Sequence, residues 1–384
     1  MKRVLIFSLA YFPYVGGAEV AIKELTDRIA PEDLVFTMLT MRTGDEPREE
    51  RIGNVQVLRL GRSGSYLSKV LFIPRAALTA RRLHRAEPFD LAWAMMTYMV
   101  LPLALLRLLG TRLPYVLTLQ DGDPFEYVFK RWYIRPLTPL LRYGFRHAAG
   151  VSVLSTYLAG WAKRLGYRGE PALVPNGAAY ARFAQAAPRD FGRAPGETWL
   201  ITSSRLVRKN AVDDVIRALT RLPERVHFLV LGTGVEESAL KALARGVGVA
   251  GRVRFLGHVS HEELPSYLHA CDIFIRPSRT EGFGSSFVEA MAAGLPVIAT
   301  QEGGIADFLF DAKRNPGKEP TGWAVDKDSP EQIAAAVEDI LAHPEVVGRV
   351  IENAARMVQE KYDWDIVAQQ MQQVFEGSCT QPHR

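Results

Sequence analysis

At 384 residues the chain is too long for one ordinary core, so two domains are expected. Hydrophobic residues at 48% and charged residues at 23% exclude a disordered chain. Two cysteines, Cys271 and Cys379, exclude a disulfide framework or a thiolate metal cluster and fit a reducing compartment, so a cytoplasmic location is expected.

The net charge of +5 is unevenly spread: residues 1–190 carry 26 Lys+Arg against 16 Asp+Glu, and the remainder 21 against 26. Met1-Lys2-Arg3 before an apolar run has the look of a signal peptide, but no small-residue cleavage site follows, and Arg3–Ala10 reads as a buried first strand. Gly16-Gly17 opens onto a helix at Ala18–Ala30, with Val20, Ile22, Leu25 and Ile29 at helical spacing. Strands are predicted at Leu34–Met41 and Val55–Leu60, and later at Leu91–Met96, Tyr115–Leu119 and Gly150–Leu154. From Arg51 to Ala86 there are eight basic residues and no acidic one, which marks a face that meets something anionic. The apolar stretch Met95–Leu109 is broken by Pro102 and Arg107 and falls short of the roughly 20 residues a membrane-spanning helix needs.

Phe125 to His147 sets Phe125, Tyr127, Phe129, Trp132, Tyr133 and Ile134 beside Lys130, Arg131, Arg135, Arg142 and Arg146. That composition fits either a peripheral surface for an anionic membrane, at the inner face of the plasma membrane, or a helix with a solvated arginine face. Nucleic acid is disfavoured as a partner, because the aromatics lie in helical context and not on a stacking platform.

Ala186–Glu197, with Pro188, Gly192, Pro195 and Gly196, reads as the boundary between a first domain, 1–187, and a second. The second half repeats the strand–helix alternation: Thr198–Ser203, a helix at Val212–Arg221, Val226–Leu231, a helix at Glu236–Gly246, Val253–Leu256, Ile273–Arg276 and Pro296–Thr300. Strands separated by helices of this length imply an α/β fold of two doubly wound parallel sheets facing across a cleft, with ligands at the carboxyl ends of the strands.

The densest chemistry is Glu281-Gly-Phe-Gly-Ser-Ser-Phe-Val-Glu289. Ser285 or Ser286 is expected to cap the helix that follows, whose free N–H groups favour phosphate, while Gly282 and Gly284 let a ligand approach the backbone. Arg205 and Lys209 could neutralise a phosphate group held there, one as a bidentate fork and one as a point charge. No hard-cation cluster stands out in the second half. Asp213-Asp214 comes nearest and reads as the acidic first turn of the Val212 helix. Gly232-Thr-Gly234 lacks the third glycine of a dinucleotide fingerprint, which argues against a dehydrogenase.

Glu281 to Glu289 resembles the Glu-x7-Glu motif of retaining glycosyltransferases of family 4, which have the GT-B fold of two Rossmann-like domains. Other segments resemble the family in the same order: Pro13–Glu19 its glycine loop, Pro175-Asn176-Gly177 its Asn-Gly turn, Arg205 with Lys209 its Arg-x3-Lys pair, Phe255–Val259 its base-contacting turn, and Gly303–Asp307 its loop after the last core strand. The resemblance implies a metal-independent, cofactor-free enzyme that moves a hexosyl group from a UDP- or GDP-linked sugar to a sugar or lipid-linked acceptor, as in building glycolipids or cell-surface glycan precursors. It assigns catalysis to Arg205, Lys209 and Glu281. The nucleotide falls to Gly257, His258, Val259, Ser285, Ser286 and Glu289, and the donor sugar and diphosphate to Gly16, Gly17, Gly282, Phe283 and Gly284. By the same resemblance, the second domain covers 188–361 and segment 362–384 crosses back onto the first.

Three positions depart from the family. Gln120-Asp121 stands where relatives often show His-Asp, and a Gln cannot shuttle a proton. Gln120, Asp121 and Asp123 therefore remain as candidates to orient an acceptor hydroxyl. Ala178-Ala179 follows the Asn-Gly turn where an aspartate is frequent, and Ala306 and Asp307 replace the usual Pro and Glu. A sugar-nucleotide epimerase and a non-catalytic sugar-nucleotide-binding protein are the alternatives on the same fold.

Overall fold

The computed structural model describes residues 1–14, 16–61 and 65–379; Val15 of the glycine loop, Arg62 of the basic stretch and residues 380–384 lie outside them. Two compact units emerge, one made of Met1–Asn176 with the segment from Trp364, the other of Gly177–Asp363.

The first unit holds β1 (Lys2–Phe7), β2 (Leu34–Met41), β3 (Glu49–Ile52), β4 (Val55–Leu60), β5 (Leu91–Met95), β6 (Tyr115–Leu119), β7 (Gly150–Val153) and β8 (Ala172–Leu173). They form one sheet in the order β3-β4-β2-β1-β5-β6-β7-β8. The inner strands read as continuous apolar runs because helices cover both faces of a parallel sheet, and every residue of β5 and β6 is buried. The expected all-parallel arrangement fails at the edge, where β3 pairs antiparallel with β4. Gly53, with φ +54, makes that tight turn, and a Cβ on it would fall 1.9 Å from Asp27 Oδ1. Most of the acid-free basic stretch is a single helix, Tyr66–Ala86.

The second unit carries β9 (Thr198–Ser203), β10 (Val226–Leu231), β11 (Val253–Gly257), β12 (Ile273–Arg276), β13 (Val297–Ala299) and β14 (Trp323–Ala324), in the order β11-β10-β9-β12-β13-β14 and parallel throughout. Strand order reverses between β9 and β12, so the loops leaving these two strands diverge at a switch point where such sheets bind ligands.

The boundary lies earlier than the proline- and glycine-rich segment indicates. Ala186–Glu197 belongs to the second unit, tied there by Arg189 N–H donating to Ser266 O at 2.8 Å and by Arg193 pairing with Asp272 at 2.9 Å. The chain crosses instead at Asn176/Gly177 and at Asp363/Trp364. These crossings sit side by side: Ala178 N–H donates to Tyr362 O at 2.8 Å, and Tyr180 N–H to the Asp363 carboxylate at 3.2 Å.

From the second crossing the helix Trp364–Cys379 packs into the first unit. Phe375 is wholly buried, its ring 5.1 Å from Trp93 and 6.3 Å from Phe36. Phe375→Ala is expected to cost the first unit about 3–5 kcal/mol in urea unfolding followed by Trp93 fluorescence; a loss below about 1 kcal/mol contradicts a core role for this helix.

Candidate active site

Each chemistry-bearing segment of the second unit leaves the carboxyl end of a strand: Ser204–Asn210 after β9, Gly232–Gly234 after β10, His258–Glu263 after β11, Pro277–Gly284 after β12 and Gln301–Asp307 after β13. Main-chain contacts so close that they exclude any side chain stitch these segments together. Gly232 N–H donates to Gly257 O at 2.7 Å, and Leu206 N–H to Thr233 O at 2.8 Å. A Cβ on Gly232 (φ +123) would meet Ser204 O at 1.9 Å, and one on Gly234 would meet Leu206 O at 2.2 Å. The glycine pair set aside as an incomplete dinucleotide fingerprint thus seats the loop that carries Arg205. Gly303 does the same for Glu281, with φ +64 and a Cβ position 2.0 Å from Glu281 O, while Gly304 N–H donates to that carbonyl at 3.0 Å.

At the centre stands a residue the sequence reading missed. Arg276 ends β12, is 6% exposed, and donates from Nη2 to Glu281 Oε2 at 2.9 Å, its guanidinium lying 4.2 Å from the Phe287 ring centroid. Burial pulls its proton affinity down, Glu281 and then Glu289 push it back up, and Arg205 adds a like charge. Arg205, Glu281 and Glu289 therefore all lie within electrostatic reach of one guanidinium. The other Glu281 oxygen accepts the Gly282 N–H at 2.9 Å, which fixes the carboxylate's orientation. Lys209 follows Arg205 on a 3₁₀ turn, Arg208–Asn210, and its carbonyl accepts Arg279 N–H at 2.7 Å.

Arg279 also went unread. Its side chain takes Asp213 at 2.9 and 3.0 Å, Asp214 at 2.9 Å and Asp328 at 2.5 Å, and donates to Arg208 O at 2.6 Å. The Asp213-Asp214 pair is a clasp for the turn bearing Lys209. Burial, with Asp213 alongside, still pushes the Asp214 carboxyl up to about 6.

The expected cap of the next helix changes. The helix Ser285–Ala292 begins after Gly284, whose φ of +91 makes it the N-cap, and neither Ser285 nor Ser286 caps it. Only glycine fits there, since a Cβ would lie 2.5 Å from the Phe287 ring and 2.8 Å from Arg276 Nη2. The Phe283 side chain is core, 5.4 Å from Phe308 and 5.7 Å from Tyr362 by ring centroids, so only its backbone faces the loop. His258 is exposed, whereas His261 reaches Glu289: Arg182 donates to its Nδ1 at 2.9 Å, leaving Nε2 to donate to Glu289 Oε1 at 2.9 Å. Val259 is half-buried on the same turn, and Gly257 (φ +74) enters it.

Among the described residues, half of the buried side-chain polar atoms without a partner fall in this cluster: Thr202 Oγ1, Ser204 Oγ, Asn210 Oδ1, Arg276 Nε, Ser278 Oγ and Ser286 Oγ. Buried polar groups are normally satisfied, so their concentration here fits a polar ligand.

In the first unit, Gln120 Nε2 donates to Asn176 Oδ1 at 3.1 Å, and a Cβ on Gly17 would lie 3.8 Å from Asn176 Nδ2, which gathers the glycine loop and the end of β6. Gly16 is the N-cap of the helix Gly17–Arg28. Asp121 is buried and accepts from Thr97 Oγ1 at 2.5 Å; burial raises its pKa above the usual carboxylate value, and the Thr97 bond opposes that rise. Asp123 is half-buried beside it.

The family described as "Glycosyl transferases group 1" matches residues 184–357, and the "Glycosyl transferase 4-like domain" matches residues 16–177. A GDP-mannose-dependent alpha-(1-6)-phosphatidylinositol monomannoside mannosyltransferase of Mycobacterium tuberculosis is 31% identical over 50% of this chain and 51% of its own length. The chain thus spans about half the length of the first curated relatives it matches. A GDP-mannose-dependent monoacylated alpha-(1-6)-phosphatidylinositol monomannoside mannosyltransferase of Corynebacterium glutamicum is 23% identical over 98% of both chains. Sucrose-phosphate synthase of Thermosynechococcus elongatus shares the fold, with a TM-score of 0.83 and 21% identity over 98% of both chains.

Arg276→Met would leave Glu281 buried without its counter-charge and is expected to destabilise the second unit by about 3–5 kcal/mol in guanidinium unfolding, with Arg276→Lys recovering part of the loss. Equal stability of the Met variant and the parent would remove Arg276 from the centre of this cluster.

Proposed function

The chain belongs to the two-domain glycosyltransferases that join a 4-like domain to a group 1 domain, and from that premise we propose that it moves a hexosyl group from a nucleotide-diphosphate sugar to a hydroxyl acceptor, with retention and without a metal ion or other cofactor. One observation carries the reading: Arg205, Glu281 and Glu289 lie around the buried Arg276, at the carboxyl ends of parallel strands, amid unsatisfied polar atoms.

In this reading Glu289 turns from His261 to accept the ribose hydroxyls, and the Gly257–Val259 turn offers backbone to the base. Glu281, held by Arg276 and by Gly282 N–H, accepts a donor-sugar hydroxyl. The diphosphate meets the start of the helix Ser285–Ala292, with Arg205 and Lys209 stabilising the charge that develops on it. The sequence offers no residue that stands out as a nucleophile for a double displacement. Substitution therefore proceeds on the donor's front face through an oxocarbenium-like state, and the departing phosphate takes the acceptor's proton. A role for a divalent ion at Asp213-Asp214 is disfavoured because Arg279 already occupies those carboxylates.

GDP-mannose is the first donor to try, since both mannosyltransferase relatives are named for it, and a UDP-sugar the second. The acceptor side falls to the first unit, with Gln120, Asp121 and Asp123 beside its glycine loop. A lipid-linked acceptor at a membrane surface is supported by the relatives' names and by the exposed Tyr127 and Trp132, Arg131 lying 3.8 Å over the Tyr127 ring. No helix among the described residues is long and apolar enough to cross a membrane.

Melting-temperature shifts across GDP, UDP and their sugars identify the donor, and a saturating ligand at a hundred times its Kd adds about 2.7 kcal/mol of stability. With that donor, Arg205→Ala is expected to lower kcat by roughly 10²- to 10³-fold at unchanged melting temperature, and EDTA is expected to leave the parent rate unaltered. Undiminished turnover in Arg205→Ala, or inversion of the donor sugar without transfer as in an epimerase, contradicts the reading.

A further inference from the structure

The carboxylate assigned to the ribose is already engaged by the protein itself. Glu289 lies in the helix Ser285–Ala292, is 7% exposed, and accepts from His261 Nε2 at 2.9 Å. A carboxylate so far from water needs a donor, because an unpaired buried charge is costly. Glu289 is within the field of Arg276, but Nη2 of that guanidinium is given to Glu281. The imidazole of His261 supplies the direct contact.

That imidazole is held from behind. Arg182 can only donate, so its 2.9 Å contact with Nδ1 leaves the ring proton on Nε2, aimed at Glu289. Arg182 belongs to the short helix Tyr180–Ala184, which is tied at both ends. Tyr180 N–H reaches the Asp363 carboxylate at 3.2 Å, and Phe183 O accepts from His269 Nε2 at 2.6 Å. Phe183 is wholly buried, with its ring centroid 5.7 Å from that of His261. On its own side, His261 sits in the turn after β11, where Leu264 N–H donates to Ser260 O at 3.1 Å. One N–H bond from an uncharged ring is strong enough to hold Glu289, yet weak enough to lose to a ribose diol, which brings two O–H bonds to the same oxygens.

We propose that His261 is a latch on Glu289. A nucleoside diphosphate takes the carboxylate from the imidazole on entering, and the imidazole takes it back as the nucleotide leaves. The relay Arg182–His261–Glu289 thus lowers affinity for the nucleotide and hastens its release. This rests on the assignment of Glu289 to the ribose. A residue that merely shaped the turn would carry the opposite sign, its loss weakening the nucleotide.

The test is calorimetric titration of the full chain with GDP and UDP, and with the 2′,3′-dideoxy form of whichever binds. His261→Phe keeps a ring beside Phe183 and removes the donor. It is expected to bind the ribonucleotide about tenfold more tightly and to release it about tenfold more slowly in stopped-flow displacement. The dideoxy form has no hydroxyl to offer Glu289, so parent and His261→Phe are expected to bind it within about twofold of each other. His261→Gln keeps an oxygen for Arg182 and an N–H for Glu289, and is expected to stay within about threefold of the parent. Arg182→Met frees the ring to turn and is expected to tighten the ribonucleotide by a smaller factor than His261→Phe. Failure of both His261→Phe and Arg182→Met to tighten the ribonucleotide overturns the latch, as does equal tightening of the dideoxy form. Glu289→Leu tests the underlying assignment separately, and is expected to weaken the ribonucleotide about tenfold while sparing the dideoxy form. If it does not, or if the parent binds neither GDP nor UDP, the ribose assignment fails and the latch falls with it.

Discussion

A guanidinium held away from water dictates the geometry of the second unit. Arg276 gives up hydration that only nearby carboxylates can offset, so Glu281 is bound to it and Glu289 is kept within its field. Phe287 closes one side, and at Gly284 even a methyl group would collide with both Phe287 and the guanidinium. The start of the helix Ser285–Ala292, the orientation of the Glu281 carboxylate and the place of Glu289 all follow from where one charge must sit.

The surrounding loops are held by main chain more than by side chains. Gly232, Gly234 and Gly303 bring segments from different strands to distances that no Cβ would permit, and the nearby hydrogen bonds join the carboxyl ends of β9, β10 and β11 to one another and that of β12 to that of β13. Such a scaffold leaves side chains free for chemistry while the backbone beneath them cannot drift. Arg279 adds a polar brace, drawing three aspartates and a carbonyl around the turn that presents Lys209.

Most strands were legible because a parallel sheet covered on both faces demands mainly apolar runs, and β1, β5, β6, β9 and β10 have them. The strand β3 reads Glu-Glu-Arg-Ile, an exposed edge with no such signature, and went unseen. The domain boundary was misplaced because proline and glycine mark irregular backbone, whether it links units or packs against one. Glu281, Glu289 and Arg205, which the motifs single out, come together around Arg276. An arginine closing an apolar strand carries no mark that it is buried, so Arg276 escaped, and no spacing rule separates His261 from the nearby His258. Ser285 and Ser286 were misread as caps because a positive φ at Gly284 cannot be seen in composition.

The return of the last helix into the first unit reverses the usual order of events during synthesis. Domains generally complete themselves as they leave the ribosome, amino-terminal one first. Here Phe36 and Trp93 are translated hundreds of residues before Phe375 arrives to cover them, whereas the second unit is continuous from Gly177 to Asp363 and can close as soon as it emerges. The nascent first unit must therefore wait with part of its core uncovered until the segment that carries Phe375 has been made.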